Sequence, residues 1–178
     1  MGAVRCPPLR QHPPGRIEGT AATMTTSDST TDAVVLERTF TAPASEVWRM
    51  WTDPVAFAGW YGPGGASISV CEMDVRAGGR RRVCMRFETP EGPREMWFTG
   101  EFLEIDEANH LVYTEAMTDA DGRPLPGGHP STEVDVAFEE VVGGTRVVLT
   151  HRGIPAGSPG EQGWRAAFDE LDRRLATR

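Results

Sequence analysis

The sequence predicts an α+β domain in which a curved antiparallel sheet of about six to seven strands wraps on a long C-terminal helix, with two short helices after the first strand. Three observations predict it. Segments rich in β-branched and aromatic residues, each bounded by Gly, Pro, Asn or Asp, fill the middle of the chain. Their connections are short, so neighbouring strands pair antiparallel as a meander. The last segment abandons this alternation for helical spacing, and its apolar stripe needs a sheet face to cover it.

The elements follow in order. Val34 to Ala42 alternates Val34, Leu36, Arg38 and Phe40 with Val35, Glu37 and Thr39, as a strand does. Pro43 stops it. Pro43-Ala44-Ser45-Glu46 opens a helix that carries Val47, Trp48, Met50 and Trp51 and ends near Asp53-Pro54. A second helical turn, Val55 to Trp60, leads into the loop Tyr61-Gly62-Pro63-Gly64-Gly65. Strands are then expected at Ser67–Val75, Gly79–Thr89, Arg94–Ile105, His110–Met117, Thr132–Val141 and Thr145–Arg152. From Gly160 to Ala176, Trp164, Phe168, Leu171 and Leu175 fall at i, i+4, i+7 and i+11.

Composition bounds the function. The chain has 178 residues, 39% hydrophobic and 25% charged, as expected of one globular domain with its own core. That domain is assigned to residues 33–178. Residues 1–32 are rich in Pro, Gly, Ser and Thr without apolar periodicity, and are read as a disordered leader. The net charge of −8 disfavours nucleic acid. No stretch approaches the roughly 18 apolar residues of a membrane span, and no secretory h-region precedes the domain. Cys6, Cys71 and Cys84 show no metal or disulfide spacing and fit a reducing compartment. A cytoplasmic protein is expected, without a metal or cofactor, because the chain carries no GxSxG elbow, HExxH or phosphate loop.

The segments FTAPASEVWRMWTDP, WYGPGG, DVRAGGRRRV, GEFLEI, LVYTE and FEEVVGGTRVVLTH, with GW ahead of the last helix, stand in an order and spacing that resembles the START-like superfamily. This is also called the polyketide cyclase/dehydrase and lipid transport (SRPBCC) superfamily, and the match is to the branch named after the activator of heat-shock-protein-90 ATPase. It covers about Val34 to Leu175. The resemblance implies a helix-grip fold with a cavity between sheet and helix that takes lipids, polyketides or other apolar molecules; it implies no shared reaction. Arg81 departs from the branch, which carries an aromatic or apolar residue after the Gly-Gly.

The candidate ligand-binding residues are Trp60, Tyr61, Met73, Arg81, Met85, Met96, Tyr113, His151, Trp164 and Phe168. Aromatic rings and methionines make walls for an apolar ligand, and Trp48, Trp51 and Trp97 belong to the same aromatic-rich set. Strand alternation puts Arg81 on the face of Val83, Met85 and Phe87, where its guanidinium would meet a ligand carboxylate or a protein one. His151 shares a face with Val147 and Leu149 and is the best acid or base in the chain. Glu101, Glu104 and Glu115 are expected to be mostly exposed, with Glu101 and Glu104 on opposite strand faces. No residue is assigned a catalytic role.

The expected function is therefore binding of a small hydrophobic or amphipathic molecule. Its alternatives are an enzyme, cyclase-like or hydrolase-like, using His151, Arg81 and Tyr113, and a co-chaperone that stimulates a chaperone ATPase. The expected partner is a small apolar ligand, neither nucleic acid nor membrane, with a homodimer and a chaperone partner as further alternatives.

Overall fold

The computed structural model describes residues 32–177; the leader assigned to 1–32 lies almost wholly outside them. The chain runs β1 (Ala33–Phe40), α1 (Ala44–Thr52), α2 (Pro54–Trp60), β2 (Ala66–Met73), β3 (Arg80–Thr89), β4 (Gly92–Asp106), β5 (His110–Thr118), β6 (Thr132–Val141), β7 (Gly144–Arg152) and α3 (Pro159–Ala176). The expected order holds throughout, with strand ends moved by one or two residues. Pro93, just outside the expected strand Arg94–Ile105, lies inside β4 opposite Glu88.

The seven strands form one curled antiparallel sheet in the order β1-β7-β6-β5-β4-β3-β2. The six strands from β2 to β7 are the expected meander, and β1 joins it by pairing along its whole length with Thr145–Arg152 of β7. The crossover from β1 to β2 is made by α1 and α2. Asp53 ends the first of these helices and caps the second, its carboxylate accepting from the Val55 and Ala56 amides at 2.9 Å each. At the other end of the chain Ser158 and Pro159 start α3 with a side-chain cap and a proline in the first turn.

Two features shape the sheet. A bulge between Phe102 and Glu104 shifts the pairing of β4 with β5. It lets Leu103 and Glu104 both face solvent, so Glu101 and Glu104 are both exposed, contrary to simple alternation. Gly100 comes so close to β5 that an added Cβ would lie 1.7 Å from the Thr114 carbonyl oxygen. No other residue fits there.

The core lies between the concave face and α3. Trp164, Phe168, Leu171 and Leu175 of the predicted stripe are all buried. They pack on Phe40, Val136, Leu149 and the aromatic group of α1 and α2. Among the described residues no helix is long and apolar enough to cross a membrane.

Candidate functional site

One end of the space between sheet and helix is open. A pocket of about 600 Å³ lies there, within the range of small-molecule sites. Its sheet wall is Met85 and Phe87 of β3, Met96 and Phe98 of β4, Glu115 and Met117 of β5, Thr132 of β6 and His151 of β7. Its helix wall is Gly160, Gly163, Trp164 and Ala167 of α3. Tyr61-Gly62-Pro63, His129-Pro130 and Gly153-Ile154-Pro155 form the rim. The space exists because α3 presents Gly160, Gly163 and Ala167 to it, three residues on successive turns with at most a methyl group.

The polar groups gather at the inner end. Arg81 pairs with Gly100 across β3 and β4, and Glu115 pairs with Thr132 across β5 and β6. Thr99 pairs with Ala116, which sets Gly100 beside Glu115. The guanidinium therefore reaches over a residue without a side chain, and its Nη1 donates to Glu115 Oε2 at 2.6 Å. Tyr61 Oη donates to the same oxygen at 2.8 Å. The pair is buried, with side-chain exposures of 1% for Arg81 and 8% for Glu115. Tyr113 backs the guanidinium, its ring centre 4.2 Å from Cζ, and Phe57 and Tyr61 stand at 5.7 and 5.8 Å. Burial, then the neighbouring Glu115 charge, pushes the Tyr61 hydroxyl well above the usual tyrosine range, so it remains a donor.

A second chain of hydrogen bonds ties helix to sheet. Trp164 Nε1 donates to His151 Nδ1 at 2.9 Å. An indole nitrogen only donates, so Nδ1 is unprotonated and the proton sits on Nε2. Nε2 then donates to Thr132 Oγ1 at 2.8 Å, and that hydroxyl donates to the Glu115 main-chain carbonyl at 2.9 Å. Both ring nitrogens are occupied. Burial holds His151 below its ordinary value, with Arg81 adding to the shift and Glu115 opposing it.

Of the ten candidate residues, the pocket gathers Tyr61, Met85, Met96, His151 and Trp164. Trp60 does not line it: its ring is packed into Trp51, Phe57 and Tyr61, and its indole donates to the Met50 carbonyl at 2.7 Å. Phe168 lies deeper in the core against Phe40, Trp51 and Trp164. Met73, opposite Arg81 on the edge strand β2, packs on the core from the side. Arg81 and Tyr113 sit beneath the pocket rather than in its wall. Trp97 lies on the convex face, under the Arg82 guanidinium at 4.3 Å.

Of the three strand carboxylates expected to be mostly exposed, Glu115 is the buried one, because Arg81 and Tyr61 converge on it. The signal for it in the sequence is its strand face: Leu111, Tyr113 and Glu115 share one side of β5. Phe87, Phe98, Met117 and Ile154 were also missed. Among the described residues no group of three or more His, Cys, Asp or Glu is placed to hold a metal.

The family model for activator of Hsp90 ATPase homolog 1-like protein matches residues 41–176. Among solved structures, a protein from Chromobacterium violaceum is similar at 25% identity and a TM-score of 0.68, over 81% of this chain and 96% of that one. A protein from Arthrobacter aurescens superposes with a TM-score of 0.71 at 22% identity, over 85% and 90% of the two chains. The homolog from Silicibacter pomeroyi named for the same family gives 0.63 at 21% identity, over 82% and 98%. No curated protein matches the sequence.

Proposed function

We propose, from the premise that the chain belongs to the activator of Hsp90 ATPase homolog 1-like family, that it is a cytoplasmic binding protein for a small hydrophobic or amphipathic molecule held between sheet and α3. One observation carries this reading: the pocket of about 600 Å³ whose walls are mostly Met, Phe, Trp and Pro side chains. Such a surface gains by being covered, at about 25 cal/mol per Å² of apolar area removed from water. Binding rather than turnover is favoured because the groups able to move a proton are already engaged. His151 has a partner on each nitrogen, and the Glu115 charge is balanced by Arg81.

Gly163 supplies the test. A Cβ added there meets nothing within 4 Å, and Gly163 lines the pocket. Gly163→Leu is expected to fold as well as the parent and to weaken capture of fatty acids, aromatic polyketides or phenolics at least tenfold, read by native mass spectrometry and thermal shift. Equal capture by parent and variant, or capture by neither, would overturn the reading.

A further inference from the structure

We propose that the inner end of the pocket selects molecules carrying a neutral hydroxyl or phenol on an apolar body, with the Glu115 carboxylate as the acceptor of that hydrogen. The inference rests on the pocket being a ligand site, and it names the class of ligand.

Glu115 is a pocket wall residue whose two oxygens are unlike. Oε2 receives both Tyr61 and Arg81, at 2.8 and 2.6 Å, and Oε1 receives no donor from the described residues. A carboxylate oxygen accepts and never donates, so what it lacks is an O–H or N–H. Tyr61 already demonstrates the contact: a phenol, ring against the apolar lining, donates to this carboxylate. A second phenol or alcohol entering along the Met85, Met96 and Met117 wall would make the equivalent bond to Oε1, and unbranched methionines adapt to a flat ring or an acyl chain alike.

The charge balance excludes the other polar classes. Arg81 neutralises Glu115, so a neutral ligand leaves the buried site neutral. A ligand carboxylate would bring a second anion against Glu115, and the guanidinium that would attract it is covered by Tyr113, with Nη1 bonded to Glu115 and the unpartnered Nη2 buried beneath the pocket wall. A ligand ammonium would leave a net positive charge in an apolar enclosure, which is costly. A ligand carbonyl finds no free proton in the wall around Glu115: the Tyr61 proton goes to Glu115, the His151 proton to Thr132 and the Thr132 proton to the Glu115 carbonyl, while the unpartnered donors Arg81 Nη2 and Tyr113 Oη are buried beneath that wall. Discrimination of this kind is a difference of affinities, and here the repulsive part comes from the same carboxylate as the attractive part.

The experiment is a displacement series at neutral pH, with the neutral fluorophore N-phenyl-1-naphthylamine as reporter and four competitors of one shape: naphthalene, 2-naphthol, 2-naphthoate and 2-naphthylmethylammonium. The expected order puts 2-naphthol about tenfold or more tighter than naphthalene, the size of one hydrogen bond to a charged group, with the two ions weakest. Naphthol no tighter than naphthalene, or either ion tighter than naphthol, would overturn the inference and leave the pocket reading intact, because the reporter has bound. A reporter and competitors that all fail to bind overturn both. The residue is tested in the double variant Arg81→Met with Glu115→Gln, which keeps shape and removes both charges together. Its naphthol-to-naphthalene ratio is expected to fall severalfold, and an unchanged ratio in a folded double variant removes Glu115 from the proposal. Should the variant not fold, the competitor order on the parent protein still decides.

Discussion

The space between sheet and α3 is packed solid at one end and open at the other, although the same helix and the same strands wall both. At the filled end Trp51 stacks on Trp164 with ring centres 5.9 Å apart, and Phe57 stacks on Tyr61 at 4.4 Å. Trp60, Phe138 and Phe168 close around them. At the open end the helix turns Gly160, Gly163 and Ala167 toward methionines and phenylalanines that face it across a gap. The seam between the two is the row Arg81, Gly100, Glu115 and Thr132. A filled interior owes its stability to close contact, since dispersion and burial both fail when a gap opens. The open end lacks those contacts, and what it retains is the cavity of about 600 Å³.

The contrast is broken most strongly from the filled side. Trp51→Ala is expected to cost about 3–5 kcal/mol, because Trp51 is buried among Trp60, Trp164, Phe57, Phe138 and Phe168. Met96→Ala, which enlarges an existing opening, should cost about 1 kcal/mol or less. Urea unfolding of the two variants side by side measures the difference, and equal losses would mean that the open end is packed like the other. At the seam, Arg81→Met alone strands a buried carboxylate and should cost about 3 kcal/mol. Adding Glu115→Gln should return most of that loss in the same measurement.

His151 gives a smaller, pH-dependent effect. Its folded value lies below the ordinary 6.5, so on acidification the unfolded chain takes up the proton before the folded one does. Its contribution to stability is complete above about 6.5 and is lost as pH falls through the unfolded value toward the folded one. Protonated Nδ1 would also face the Trp164 indole donor to donor. Melting temperature followed from pH 7.5 to 5 should therefore decline less steeply in His151→Gln, and a parallel decline would show that Trp164 does not depend on neutral imidazole. The smallest effect is a gain. Gly163→Ala removes a flexible residue from the interior of α3 with no clash, and should raise stability by about 0.5–1 kcal/mol in thermal unfolding.

Much of the fold was legible because its signals are local. Alternation in Val34–Phe40, the Asp53-Pro54 junction and the spacing of Trp164, Phe168, Leu171 and Leu175 each point to one structure, and short turns leave a meander as the simple pairing. The Phe102–Glu104 bulge was not legible, since a bulge is one extra residue that only the partner strand reveals. The site was half legible for a related reason. Alternation says which face Met85, Met96 and His151 share, but not how far along that face the packing ends. Trp60 and Phe168 are as aromatic as Trp164 and lie on the filled side of that limit.

The sequence by itself determined the order of elements, the alternating faces of regular strands such as β3 and β7 and the buried stripe of α3, because these follow from periods of two and 3.6 residues along one chain. The tertiary structure alone decided where the interior stays empty and that Arg81 faces Glu115. These residues stand 34 positions apart. They meet only because the register of β3, β4 and β5 lines them up on either side of Gly100, and register between strands is a relation no single segment contains.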